Sequence, residues 1–122
     1  MALARNIMRG GWSAGKARAV NGAVGTALTA AGTTLATALA LQADTNVIGT
    51  AAAGTGVSLP SGEIGDSCEV YNGGANTVIV YPDVVANQIN AITAGSGFNL
   101  ATNTACFCRK ITATRWIAFL SA

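Results

Sequence analysis

The residues of this sequence best suited to chemistry are its three cysteines, Cys68, Cys106 and Cys108. Cys106 and Cys108 are two positions apart, so on a β-strand both side chains would point to one face, where three thiolates could gather on a metal. The pattern lacks the fourth ligand of a structural zinc site, and a free cysteine commonly serves as a small buried apolar residue. We therefore predict core cysteines and no metal. An odd number of cysteines also favours a reduced, intracellular history over a disulfide scaffold.

Catalytic patterns are weak throughout the chain. The sequence contains no histidine, which removes the usual general base and every serine–histidine or cysteine–histidine nucleophile. Asp66 and Glu69 are the nearest candidates for a carboxylate pair, but on a strand these two positions point to opposite faces. The glycine pairs at 54–56 and 95–97 do not complete a phosphate-binding or dinucleotide-binding motif. We predict that the chain is not an enzyme and uses no cofactor and no small-molecule substrate.

Residues 65–83 carry the clearest structural pattern in the chain. Two runs of alternating side chains, 67–71 and 77–81, flank the turn sequence Asn72-Gly73-Gly74. These turn residues accept positive φ angles at little cost, as a tight connection between strands requires. The pattern predicts a β-hairpin.

One face of that predicted hairpin would be unusually apolar. If its valines face the core, the opposite face carries Tyr71, Ile79 and Tyr81 as an apolar stripe. Only 10% of the residues are charged, against about 25% in typical domains, and large side chains are few. We therefore predict an oligomer in which a neighbouring subunit covers these three residues.

Short alternating runs continue along the rest of the chain. Leucines at alternate positions predict a strand over 35–41, with a helix over 35–43 as the alternative. Seven or eight short strands with regular turns predict an all-β fold, a small β-sandwich or jelly-roll-like body in which Trp116 belongs to the core. The remaining predicted strands are 46–53, 57–60, 88–92, 98–100, 104–111 and 115–120.

The charges are distributed unevenly. The first 20 residues hold four basic side chains and no acid, a charge of +4, whereas residues 21–122 hold three basic and five acidic side chains, a charge of −2. This predicts a basic N-terminal arm, 1–22, on a body, 23–122. The predicted partner-contact residues of the arm are Arg5, Arg9, Trp12, Lys16 and Arg18.

The arm has two possible modes of action. Trp12 either anchors the arm in a partner or folds back on its own domain, and the sequence leaves both open. Because the body is not basic, an acidic protein surface is favoured over nucleic acid as the partner of the basic residues. The uncharged stretch 19–43 consists largely of alanine and threonine, so we predict no membrane-spanning helix there. A secretory signal is not predicted either, since no continuous apolar segment precedes Lys16.

From about Thr26 to Ala118 the order of short motifs resembles a family of small virion proteins of tailed bacteriophages, described as head decoration, cement or fibre proteins. The matching segments are a threonine/alanine run that ends in 38–41 (Ala-Leu-Ala-Leu), 54–60 (Gly-Thr-Gly-Val-Ser-Leu-Pro), 65–67 (Gly-Asp-Ser), 70–72 (Val-Tyr-Asn), 75–76 (Ala-Asn), 80–82 (Val-Tyr-Pro), 89–90 (Ile-Asn), Phe107 and 114–118 (Thr-Arg-Trp-Ile-Ala).

This resemblance implies a β-rich, trimer-forming subunit on the outside of a capsid. Its expected partner is the major capsid protein, its expected location is the virion surface after synthesis in the host cytoplasm, and its expected role is to stabilise the assembled head. The alternative is a tail or fibre-tip module that binds a receptor or glycan. The basic arm lies largely outside the resemblance.

Overall fold

The computed structural model describes residues 22–121, and ten β-strands connected by turns make up that range. The strands are β1 Val24–Thr29, β2 Leu39–Ala40, β3 Thr45–Thr50, β4 Gly56–Ser58, β5 Ser67–Asn72, β6 Val78–Tyr81, β7 Gln88–Ile89, β8 Phe98–Leu100, β9 Thr104–Thr112 and β10 Arg115–Leu120.

The first six strands alternate between two sheets. β1, β3 and β5 lie side by side in a six-stranded sheet, and β2, β4 and β6 lie side by side in a four-stranded sheet. Within each set the neighbouring strands are parallel. The chain therefore winds through three stacked coils, each with one strand in either sheet, which is the arrangement of a short β-solenoid.

The last strands close one end of this coil. β8 pairs antiparallel with β6, and β9 pairs antiparallel with β5. β10 then pairs antiparallel with β9, while the two-residue strand β7 runs parallel to β10 at the sheet edge. The final sheet orders are β1-β3-β5-β9-β10-β7 and β2-β4-β6-β8.

The predicted all-β fold is confirmed, but the jelly-roll topology is wrong. A jelly roll is built from antiparallel strands. Here five of the eight strand pairings are parallel and three are antiparallel. The two sheets do enclose one core, since buried residues of both sheets belong to the same apolar cluster. The physical reason for the difference is that the coil places successive strands in opposite sheets, where they cannot pair with each other.

The predicted hairpin over residues 65–83 is wrong for the same reason. β5 pairs with β3 and β9, whereas β6 pairs with β4 and β8. The buried Asn72 amide organises the corner between them: Nδ2 donates to the carbonyls of Asn76 and Leu100 at 2.9 Å each, and Oδ1 accepts from the Gly74 N–H at 3.0 Å. Asn72 thus ends one sheet layer and starts the crossing to the other.

The predicted strand over 35–41 is largely a turn. Only Leu39–Ala40 is extended. The Thr37 hydroxyl accepts from the backbone N–H groups of Thr33 and Thr34 at 3.3 Å each, and Ala38 N–H donates to the Thr34 carbonyl at 2.9 Å. Threonine hydroxyls that bind nearby backbone compete with a strand ladder, which explains why the alternation of leucines is not realised as a long strand. The alternative helix is reduced to this single turn.

The core lies between the two sheets and includes the predicted Trp116. Its side chain is fully buried, although β10 is next to the sheet edge. The strands pack closely in places: a Cβ added to Gly56 would lie 2.7 Å from the Ile79 carbonyl oxygen and from the Tyr81 ring. The other fully buried large side chains include Ile48, Val57, Val70, Val78, Val80, Ile89 and Leu100.

Candidate interaction surface

The predicted contact residues of the basic arm lie outside the described residues. These are Arg5, Arg9, Trp12, Lys16 and Arg18. Their roles as partner contacts remain predictions.

The three predicted interface residues do not share a face. Tyr71 lies on the outer face of β5 in the six-stranded sheet, whereas Ile79 and Tyr81 belong to β6 in the other sheet. Tyr81 is only 8% exposed, and its hydroxyl donates to the Thr33 carbonyl at 3.1 Å. The single stripe depended on the hairpin, so it is not formed. Tyr71 remains on the surface and Ile79 is half-buried.

A different aromatic cluster occupies the outer face of the six-stranded sheet. Phe107 on β9 is the register partner of Phe119 on β10 and of Glu69 on β5. The two phenylalanine rings lie 6.5 Å apart between centroids with a tilt of 34°, and Phe119 is 61% exposed. Tyr71 contributes a third partly exposed ring to the same face. We call Tyr71, Phe107 and Phe119 the aromatic face.

A shallow depression of about 340 Å³ lies over this face. Thr45, Glu69 and Ser121 are among its lining residues, together with the three aromatic side chains. The Glu69 carboxylate accepts a hydrogen bond from the Thr45 hydroxyl at 2.8 Å. Arg109 is exposed on the same side of β9. An apolar centre with polar and charged groups at its margin is the usual composition of a protein interface.

The sequence contained part of the signal for this face. Alternation along 104–111 already placed Phe107 opposite Cys106 and Cys108, and alternation along 115–120 placed Phe119 opposite Trp116. The missing step was strand order: the short turn between β9 and β10 makes them neighbours, and β5 lies on the other side of β9. Alternation within one strand therefore indicates which residues point outward, and strand order determines which of them meet.

A buried ion pair that the sequence did not predict joins β9 to the segment after β6. Lys110 Nζ lies 3.0 Å from Asp83 Oδ2 and also donates to the Gly62 carbonyl at 2.9 Å. Asp83 Oδ1 accepts from Trp116 Nε1 at 3.1 Å and from Asn87 Nδ2 at 2.7 Å. The Lys110 ammonium also lies 5.9 Å from the centre of the Trp116 ring.

Opposing effects act on the Asp83 carboxyl. Burial by itself would raise the pKa of Asp83, but hydrogen bonds from Asn87, Lys110 and Trp116, with the charge of Lys110, outweigh it and lower the pKa. The carboxylate is therefore held in its charged form. Because both of its oxygens are engaged, this network serves the structure of the core and offers no acid or base for catalysis.

All three cysteines are buried in the core. Cys106 Sγ lies 3.8 Å from Cys108 Sγ, and Cys68 is the register partner of Cys108 on the adjacent strand. Burial raises the pKa of Cys68 to about 12, with further contributions from Cys106 and Asp44. The hydrogen bond with Cys106 is the largest effect that raises the pKa of Cys108, and burial is the second largest. Within residues 22–121, no group of three or more histidine, cysteine or acidic side chains is arranged to hold a metal ion.

Comparison with models of known protein families, with curated proteins and with solved structures gives no match for this chain. A helix with the length and apolar character needed to cross a membrane does not occur among residues 22–121.

Proposed function

We propose that this protein is a virion structural protein, a capsid decoration subunit that binds the outer surface of the major capsid protein as a homotrimer. The observation that carries the proposal is the aromatic face, three partly exposed rings on one side of an uninterrupted sheet. A second copy of the same chain is the occupant that we assign to it. The motif order from Thr26 to Ala118 supports the virion assignment by resemblance.

The chemistry of the face suits an interface between copies. Glu69 and Arg109 flank the rings, and the only ion pair among residues 22–121 is Lys110–Asp83, so these two flanking charges do not pair with each other within one copy. Between copies, the carboxylate of one subunit and the guanidinium of another have complementary charges, while the rings exclude water. The low overall charge of the chain also favours association over a free monomer.

Such a subunit acts by stabilising the assembled shell and not by catalysing a reaction. A protein that binds only the assembled shell stabilises that state by mass action, and a trimer that contacts several shell subunits gains avidity. In this proposal the basic side chains of the arm pair with carboxylates of the shell, because the arm has a net charge of +4 whereas the rest of the chain has a net charge of −2. These side chains are Arg5, Arg9, Lys16 and Arg18.

Two measurements test this proposal. Light scattering after size exclusion should give a trimer for the full chain and a smaller species for Phe119→Ser, whereas Val85→Ser, at an exposed site in the β6–β7 loop, should remain a trimer. The full chain should co-sediment with heads of the parent phage grown without this coding sequence. A variant with glutamine at all four basic positions should stay trimeric and lose binding to the heads. A monomeric full chain would overturn the role of the aromatic face, and absence of head binding would overturn the decoration role.

A receptor- or glycan-binding module of a tail or fibre tip is the second candidate. It is favoured by the depression over the aromatic face, where rings able to stack on a sugar lie beside Thr45, Glu69 and Ser121 as hydrogen-bonding groups. Copy number separates the two functions: hundreds of copies per particle indicate decoration, and a few dozen at most indicate a tail. A glycan array probed with the full chain and with Phe107→Ser tests the second function directly.

A further inference from the structure

The two ends of the β-solenoid differ. At one end β8, β9 and β10 close the third coil with antiparallel strands. At the other end β1 and β2 are the edge strands of their sheets. An apolar cavity of about 360 Å³ lies at that end, lined by Gly25, Leu28, Leu39, Ala40, Leu41, Gln42, Ala43 and Asn46. We call it the mouth of the solenoid.

The mouth is continuous with the hydrophobic core. Leu41 is fully buried in the core cluster, while Leu28 and Leu39 are half-buried and pack against it. None of the lining side chains carries a charge. Stacked coils leave their interior exposed at a terminal coil unless something covers it, which is why solenoids carry capping segments. An apolar side chain is the chemistry that fits this cavity.

The chain itself supplies a suitable segment next to the mouth. Residues 1–21 connect directly to Gly22, and the next residue is fixed at the rim: the Ala23 N–H donates to Asp44 Oδ2 at 2.8 Å, and its carbonyl accepts from Asp44 and Thr45 at 3.0 Å each. Ala43, which lines the mouth, is the residue before Asp44 in the chain. The segment therefore starts at the edge of the cavity.

The composition of that segment matches the cavity. Its large apolar residues are Leu3, Ile7, Met8 and Trp12. Trp12 precedes Gly22 by ten residues, and an extended chain of that length reaches up to ~35 Å. The segment between them is therefore long enough for Trp12 to reach any part of the mouth. A short tether also gives a high effective concentration, which favours this occupant over one from another molecule.

We propose that residues 1–21 dock intramolecularly on the mouth of the solenoid and that the Trp12 indole fills the cavity lined by Leu28, Leu39 and Leu41. The segment then caps the first coil as β8 to β10 close the last. This inference is independent of the proposed virion function, since Trp12 serves its own chain while the four basic residues stay available to a partner.

The experiment uses the full chain labelled with 5-fluorotryptophan. The two tryptophans give two ¹⁹F resonances, and Trp12→Phe identifies the one from Trp12. If Trp12 is docked, its resonance shows a much smaller H₂O/D₂O solvent shift than in urea, and Leu39→Ala moves it. Ile64→Ala is the matched control, since this exposed side chain does not line the mouth, and it should leave the resonance in place.

Three results would overturn the proposal. The first is a Trp12 resonance with the full solvent shift of the urea-unfolded chain. The second is a protected resonance that does not respond to Leu39→Ala, since Trp12 would then be buried elsewhere. The third is protection that disappears on dilution, because that would place the indole in a neighbouring copy. Loss of head binding by the glutamine variant bears on none of these readouts, so the two proposals fail separately.

Discussion

The Lys110 ammonium lies 3.0 Å from the Asp83 carboxylate inside the core, where the two side chains are 8% and 3% exposed. Asp83 is also bound by Trp116 and Asn87, so one carboxylate connects β9, β10 and the segment after β6. Breaking such a pair leaves a buried charge without compensation. This network therefore gives the clearest stability prediction for the protein.

Replacing Lys110 with methionine should destabilise the fold by about 3–5 kcal/mol, because Asp83 would remain buried without its partner. Urea denaturation followed by circular dichroism measures the change. The control is Arg115→Gln on β10, an exposed side chain outside the aromatic face, which should change the free energy of unfolding by no more than ~0.5 kcal/mol. Equal effects of the two substitutions would contradict a special role for the buried pair.

Stability should fall at acid pH through Asp83. Its pKa in the folded protein lies below the ordinary 3.8, so the folded state binds a proton less readily than the unfolded chain. The resulting stabilisation is present above that ordinary value and is lost as the pH falls towards the lower, folded pKa. Asp83→Asn should be less stable at neutral pH because Lys110 loses its partner, and its free energy of unfolding should depend less on pH below about 4.5. An unchanged slope would show that other carboxyl groups control acid unfolding.

The three thiols should be unreactive in the folded protein. Each is buried, so the reagent does not reach the sulfur atoms in the folded protein. Burial also raises the pKa of Cys68 to about 12, whereas the hydrogen bond with Cys108 lowers the pKa of Cys106, whose protection therefore rests on burial. Ellman's reagent should titrate none of them within minutes in buffer and all three in 6 M guanidinium chloride. Rapid reaction of one thiol under native conditions would contradict the buried arrangement. Added zinc should not change the unfolding midpoint.

The corner at Asn72 should be sensitive to substitution. Asn72→Ala removes the partners of the Asn76 and Leu100 carbonyls and of the Gly74 N–H, and each unsatisfied buried group costs about 1–3 kcal/mol. We expect a loss of at least ~2 kcal/mol in the free energy of unfolding, measured by urea denaturation. Asn99→Ala, on the exposed side of β8, is the matched control and should be nearly neutral. A neutral Asn72→Ala would show that the crossing between sheets does not depend on this amide.

Alternation along single strands predicted many of the side chains that enter the core, although Tyr81, which the same pattern placed on the outer face, is buried. Cys68 and Val70 on β5, Cys106 and Cys108 on β9, and Trp116 on β10 are all buried, as their spacing indicated. This succeeds because the two faces of a strand are set by local backbone geometry, which repeats every two residues. The all-β class and the extents of β8 and β10 follow from the same local pattern.

Strand partners could not be read in this way. Asn72-Gly73-Gly74 suits a hairpin turn as well as a corner between sheets. The corner forms here because β5 pairs with β3 and β9 whereas β6 pairs with β4 and β8. Likewise, the meeting of Phe107 with Phe119 and of Lys110 with Asp83 depends on which strands lie together in space. Local alternation thus predicts the inward and outward faces of most strands, because it reflects backbone geometry within one strand. The parallel coil, the aromatic face and the buried ion pair follow from the tertiary structure, because they depend on contacts between residues that are distant in the chain.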